Sequence, residues 1–559
     1  MKRRAQSLGA GAAILLVSAV IVKVIGAFFK VPLTAMIGGE GMGYYMTAYS
    51  VFTPIYAVCV AGLPAAISRT AAGLRAQSGK RLSQPVLLLQ SCAAFWPSGV
   101  LLGVLLTVLA PALSRLVGNP GAEPAIRAVA PAVFLCTVAA TLRGLFESER
   151  NVLPTAISQC VEASVKLAAG LWLASLCLRR GAPPEKTAAA VLFGVTLSVA
   201  AGALCAALFL RGGEGDGALP APGREVRGRL RAAAVPVCLA ALVANLAVLI
   251  DLATVMNRLT GALARSPQAV VASHPAAGLS AIPAAQLPNF LFGSYTALAM
   301  TVFHLVPALT APLCTTALPM VSGLRESGRA RETRIAVTAV LKSALLVALP
   351  AGIGISALGE PILSLLFAKN PQEVAVAARI LQPLGIAAAL AATAGPVNSL
   401  LQAVGKPYAP VRLLLAGTAC KAAANLVLIG LPRVNIEGAA WGTLACYAVL
   451  AVCGVAILLR GRIGVREAFG IFFPPLSGGL LCAAAAKRCL WFLRGITASR
   501  LCVVPAIAAG VCVYLAFLFL VRPFGEEELA ALLSRPGKKR KMRKKSRFSL
   551  EKYGLVRYD

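Results

Sequence analysis

About fourteen stretches of this chain are apolar enough, over about 20 residues each, to cross a bilayer, and no other feature limits its fold as strongly. They fall at 9–30, 44–67, 85–110, 125–146, 153–178, 187–210, 232–257, 289–317, 335–358, 375–402, 409–430, 438–459, 471–493 and 501–521. The fold class expected is an all-α polytopic membrane protein with about fourteen transmembrane helices. Composition agrees, since only 13% of the residues are charged and 58% are hydrophobic. A soluble chain is charged at about a quarter of its positions.

The formal net charge of +33 would suit a nucleic-acid partner, but the charges lie in loops and in the tail. They read instead as the positive-inside pattern and as attraction to anionic lipid, with no nucleic acid involved. With the N-terminus inside, the inner loops carry Arg69, Arg75, Arg143, Arg150, Arg227, Arg231, Arg325, Arg334, Lys406 and Arg460 among others. The inner excess of basic residues is roughly twofold, which places both termini in the cytoplasm of a plasma-membrane protein. The outer pair Arg179-Arg180 runs against this assignment. Lys2-Arg3-Arg4 precede an apolar run as in a signal peptide, but no A-x-A-like site follows and Lys23 interrupts the run, so it reads as an uncleaved first span.

The fifteen cysteines show no CxxC, and His274 and His304 have no HExxH-type spacing. Neither GxxxxGK[ST] nor a nucleophile elbow occurs. The expectation is no catalytic residue, no metal and no cofactor. Transport would then be driven by a coupling ion (Na or H), the membrane potential or the substrate gradient.

An internal repeat organises the spans. Leu63-Pro64 ends the second and Leu318-Pro319 the eighth, with the prolines 255 residues apart (64 and 319). The stretches ending at Pro154 and Pro410 match at an offset of 256 (154 and 410). Two six-helix lobes in one orientation follow, around a central cavity, with two helices added at the C-terminus. The expected divisions are an N-terminal lobe at 1–215, a C-terminal lobe at 216–465, the two extra spans at 466–522 and a basic cytoplasmic tail at 523–559. Gly212 to Gly223 reads as a flexible linker. The Pro-rich outer loop near 260–288 reads as doubtful ground for regular structure, with a short re-entrant or surface helix as the alternative. In the tail, Glu526 to Leu533 suits a short amphipathic helix, and Lys538 to Lys545 would either rest on anionic headgroups or form a solvated, disordered basic tail.

Charges within the spans call for a hydrated cavity or for interhelical partners. Lys23 and Lys30 lie seven residues apart, about two turns, on one face. Glu162 and Lys166 stand at i and i+4, where they pair directly. Asp251, Lys342, Lys421 and Asn425 follow. Lys30 and Lys342 are near enough to span ends to snorkel. The cations suit a pyrophosphate or other anionic headgroup. The acids would balance them in an empty cavity or bind a coupling cation. Prolines at many spans would kink or end them.

Val22-Lys23-Val24-Ile25-Gly26, Lys30-Val31-Pro32-Leu33 and Ile37 to Tyr45 (IGGEGMGYY) resemble the opening of the stage V sporulation protein B family. These are polysaccharide-export-type members of the multidrug/oligosaccharidyl-lipid/polysaccharide (MOP) exporter superfamily, related to the lipid II flippases. Arg143-Gly144 with Pro154 to Gln159 (PTAISQ) and Glu162 resembles that family's RG…PTAxSQxxE region. Leu401 to Lys406 and Gly438-Ala439-Ala440 resemble its second half. The resemblance spans most of 10–460. It implies a V-shaped, MATE/MOP-like carrier that moves an undecaprenyl-linked sugar precursor outward, for peptidoglycan or spore cortex, with the last two helices cradling the lipid tail. Lys23 falls where the family carries a basic first-helix residue. Ser50 to Ala61 lacks the basic residue that the Gram-negative lipid II flippases carry in the second span.

On this footing Lys23, Lys30, Lys166 and Lys421 with Asn425 are expected to line the headgroup site, and Glu162 and Asp251 to tune or couple it. Arg143, Pro64, Pro154, Pro319 and Pro410 are expected at gating or structural positions. Two rival readings remain on the same chain, a cation-coupled multidrug exporter and a membrane scaffold for cell-wall synthases.

Overall fold

The structure, a computed structural model, describes residues 8–78, 84–149, 151–210, 223–460, 465–497 and 499–528. The turn at Arg150, nearly all of the 212–223 linker and the basic run from Lys538 to Lys545 lie outside the described residues. Within them the chain is helical: α1 Leu8–Ala57, α2 Leu63–Ser78, α3 Gln84–Leu116, α4 Glu123–Ser148, α5 Leu153–Arg179, α6 Pro184–Leu208, α7 Gly223–Arg265, α8 Pro267–Ala272, α9 Leu287–Gly293, α10 Met300–Phe303, α11 Leu305–Glu326, α12 Ala330–Leu366, α13 Pro371–Ala403, α14 Tyr408–Leu428, α15 Glu437–Ala448, α16 Gly454–Leu459, α17 Val465–Ile496 and α18 Val503–Val521. Short π-helical segments join α1 to α2, α9 to α10 and α15 to α16.

Among the described residues, 12 segments are long and apolar enough to cross a membrane. The first of them, Val17–Gln77, is two crossings that meet at Gly38, and the 43-residue α7 adds another, so about fourteen crossings stand. This is a multi-pass membrane protein of the expected class.

The junction of the first two spans differs from expectation. A loop was expected between residues 30 and 44, but the helix continues and breaks at one residue, Gly38, with φ 65° and ψ −177°. That backbone conformation is open in practice only to glycine. The break removes helical partners from the Thr34 carbonyl and the Gly39 N–H, and residues far along the chain replace them. Asn370 Nδ2 donates to the Thr34 carbonyl (3.2 Å), and Gly39 N–H donates to Glu373 Oε1 (2.8 Å). Asn370 also donates to that same carboxylate oxygen (3.2 Å), and both side chains are buried.

The chain packs as two compact units. The first holds Met1–Thr301 with Leu366–Ala377 and Ala424–Ala439; the second holds Val302–Leu365, Ala378–Ala423 and the chain from Ala440 onward. At the centre of the first unit, α4 packs against α2, α3 and α6. Its alanines, at 125, 130, 132, 139 and 140, are buried and bring those neighbours close. Small residues serve this purpose in lipid, where no hydrophobic force drives helices together. In the second unit α11 to α16 share one apolar cluster, including Val321, Leu341, Leu345, Val397, Leu401 and Leu450. The two last helices pair with each other and meet Leu358 of α12 through Ala486, Leu490, Val503 and Ala506.

Two further expectations are sharpened. The 260–288 stretch takes the short-helix alternative: α7 runs to Arg265, then α8 and two 3₁₀ turns follow. Pro267, Pro275 and Pro288 each sit in the first turn of a helix, where a fixed φ and a missing N–H cost nothing. Lys342 does not snorkel to water. Its Nζ donates to Glu528 Oε2 (2.9 Å) and to the Pro523 carbonyl (3.2 Å), so the segment after α18 folds back onto α12. Arg331 and Glu527 make a second tie at 2.8 Å. Of the expected 526–533 helix, residues 526–528 are helical and the rest lie outside the described residues.

Candidate functional site

The elbow between α4 and α5 builds the site. Pro154 stands in the first turn of α5, where proline is well placed, and sets the direction of the helix. Pro410 occupies the corresponding first turn of α14. Across the elbow, Arg143 Nε donates to Ser158 Oγ (2.9 Å) and Nη2 to Glu162 Oε2 (2.7 Å). The side chains of this ion pair are 4% and 13% exposed. Tyr56, on α1, donates to the other carboxylate oxygen at 3.1 Å. The spacing Arg143, Ser158, Glu162 is thus one hydrogen-bonded unit that ties α4 to α5.

Gly144, beside Arg143, serves the same joint. A Cβ there would lie 2.8 Å from the Pro64 Cα and 3.0 Å from Ile67 Cδ1. Pro64, second residue of α2, therefore packs directly against the α4 backbone. Gly144→Val is expected to cost about 1–3 kcal/mol through overpacking, read as a lowered thermal unfolding midpoint of the purified protein.

The expected Glu162–Lys166 pair is not made. Glu162 is taken by Arg143 and Tyr56, as above, and Lys166 turns to α1. Its Nζ donates to Tyr49 Oη (3.3 Å) and lies 4.3 Å from the Tyr49 ring centroid and 5.5 Å from that of Phe29. Tyr45 stacks on Tyr49 with centroids 5.7 Å apart. Lys30 is partly buried and adjoins Phe29, whose ring lies beside the Lys166 ammonium. Among the described residues, neither lysine forms an ion pair with a carboxylate.

The other candidates separate from this group. Lys23 is exposed on α1. Asp251 Oδ1 accepts from Asn425 Nδ2 (2.7 Å), which also reaches Thr254 Oγ1 (3.2 Å). Asn425 is fully buried, and its Oδ1 has no hydrogen-bond partner. Lys421 lies one turn before Asn425 on α14 and is partly buried. Pro319 sits inside α11. An apolar groove of about 600 Å³ opens between α1 and α5, lined by Val17, Ile21, Ile157, Val161 and neighbours. At 100° per residue, these positions lie roughly opposite Lys23 on α1 and Lys166 on α5, so groove and charges use different helix faces.

Tyr49 and Tyr56 were not singled out from the sequence, and Ser158 appeared only within the PTAISQ motif. A trace of the tyrosines was present, since Tyr45, Tyr49, Phe52 and Tyr56 recur at helical spacing on one face.

Comparison with known proteins is consistent with this picture. The polysaccharide biosynthesis protein family matches residues 8–324, more than half of the chain. This protein belongs to that family. The family member is 26% identical, over 536 residues and 93% of each chain, to the uncharacterized membrane protein YabM of Bacillus subtilis (strain 168). It is 21% identical over 533 residues to stage V sporulation protein B of the same organism, covering 93% of this chain and 96% of that one. Among solved structures it is similar to the lipid II flippase MurJ in an inward closed conformation. The TM-score is 0.65 at 13% identity, over 90% of this chain and 98% of that one. At that identity the likeness is one of fold, and it is the fold that the spans and the resemblance led one to expect. The family member is a membrane protein of transporter architecture.

Proposed function

We propose that this protein is a flippase that carries an undecaprenyl-pyrophosphate-linked oligosaccharide, a peptidoglycan or spore-cortex precursor, outward across the cytoplasmic membrane by alternating access of its two halves. The observation that carries this reading is Lys166, a cation within a span that is held by the Tyr49 and Phe29 rings and, among the described residues, forms no ion pair with a carboxylate, with Lys30 next to Phe29 on α1. One ammonium in a membrane interior costs about 2.5 kcal/mol or more. Such a cation is best accounted for by an anion that arrives with the substrate, and a pyrophosphate offers several oxygens to point charges of this kind. The names of two similar proteins, stage V sporulation protein B and lipid II flippase MurJ, support the same direction.

Asp251 and Asn425 supply a separate polar pair for a coupling cation (Na or H), with the membrane potential as the alternative driving force. The Asn425 Oδ1 left without a partner favours a cation there. Both termini are placed in the cytoplasm, with the basic tail against anionic lipid and cell-wall synthases as partners for the precursor after transport.

The test is binding by the purified full-length protein of undecaprenyl pyrophosphate, undecaprenyl phosphate and undecaprenol. Affinity is expected to fall in that order, with the alcohol at least about tenfold weaker than the pyrophosphate, equivalent to one charge-assisted hydrogen bond. Equal binding of all three would sink the anion reading.

A further inference from the structure

We infer that Lys166 is kept as an unneutralised cation by two devices: Arg143 holds the nearby Glu162 away from it, and the ring faces of Tyr49 and Phe29 hold the ammonium itself. The inference rests on the reading that Lys166 meets an anionic headgroup, and it assigns Arg143 and Tyr49 as positioning residues for that site.

Glu162 lies one turn before Lys166 on α5. At i and i+4, with the acid N-terminal, this is the arrangement in which a helical ion pair forms by default. Here both carboxylate oxygens are committed elsewhere, Oε2 to Arg143 (2.7 Å) and Oε1 to Tyr56 (3.1 Å). Arg143 is itself fixed by Ser158, one turn before Glu162, at 2.9 Å. The guanidinium cannot drift off with its acid.

Lys166 still needs stabilising, because a bare ammonium in a membrane helix is costly. A carboxylate would provide this and would also cancel the charge. Aromatic faces attract a cation through the ring quadrupole and leave its formal charge in place for a third group. The Tyr49 ring is 4.3 Å from Nζ and is backed by Tyr45 at 5.7 Å. One face of α1 serves both devices. Tyr49 reaches the lysine and Tyr56, two turns on, reaches the acid.

The test uses the full-length protein and undecaprenyl pyrophosphate as the probe, with affinity scaled to the folded fraction. Arg143→Met frees Glu162 to swing to Lys166, and affinity is expected to fall about tenfold or more, the scale of a neutralised charge contact. Adding Glu162→Gln removes the freed charge, and the double variant is expected to return to within about threefold of wild type. If Arg143 is only a strut, the double variant, with both halves of the tie gone, binds no better than the single one, and the inference is overturned. Should Arg143→Met fail to fold, phenylalanines of increasing ring fluorination at position 49 ask the same question with little change of volume. Affinity is expected to fall stepwise as the ring face loses electron density, and a flat series overturns the inference. If the wild type prefers pyrophosphate to undecaprenol while rescue and ring dependence are both absent, this inference alone falls. If the wild type shows no such preference, the anion reading falls and this inference with it.

Discussion

Lys166→Met is expected to lower transport of a pyrophosphate-linked lipid by about 100-fold while leaving the protein as stable as before, or more so. The two effects have one cause. A buried contact between a lysine and a phosphate, once one partner is truncated, loses about 2–5 kcal/mol, and each 1.4 kcal/mol is tenfold. In the unliganded protein the same ammonium is a liability, since it sits within a span and has ring faces and a hydroxyl as its partners instead of a carboxylate. Methionine is of similar length, is apolar and packs well against aromatic rings. Lys30→Met is expected to act in the same direction. Transport by proteoliposomes and the thermal midpoint of the same preparation check both halves. Reduced stability with unimpaired transport would make Lys166 a packing residue and remove it from the site.

The second large effect lies at the break in α1. Glu373→Leu is expected to destabilise the folded protein by about 3 kcal/mol, because it strands the buried Gly39 N–H and one of the two Asn370 amide N–H bonds, the other staying on the Thr34 carbonyl. A buried donor left without an acceptor costs about 1–3 kcal/mol, and hydrogen bonds to a charged group are among the stronger ones. Glu373→Gln keeps an acceptor oxygen in place and is expected to recover most of the loss. Denaturation of the three proteins in one detergent measures this directly. A Glu373→Leu variant as stable as wild type would mean that the Gly38 break is held by other contacts.

The spans were legible because a long apolar run is a local property of sequence. So was the presence of costly charges, and Glu162, Lys166 and Asp251 were found as such. Their partners were not legible. A single helix offers pairing only at i, i+3 and i, i+4, and the second of these joined Glu162 to Lys166. The structure joins Glu162 to Arg143 across the elbow and Lys166 to Tyr49, 117 residues earlier. Gly38-Gly39 falls between the expected spans 9–30 and 44–67, where sequence alone gives no sign that the helix continues. What lets the helix resume is Asn370 and Glu373, more than 330 residues away. Lys342 was ambiguous for the same reason, since its acid is Glu528, 186 residues on. The prolines of 260–288 left both a loop and a short helix open, because proline both breaks helices and begins them.

The most direct measurement is the movement of a labelled undecaprenyl-pyrophosphate-linked sugar across the membrane of proteoliposomes that hold the full-length protein, with and without an imposed potential. Wild-type protein is expected to transfer the precursor, Lys166→Met to fail, and organic cations not to be exported by either. Export of organic cations without transfer of the precursor, or transfer that is indifferent to Lys166, would show that the lysines in these spans do not serve a lipid-linked anion.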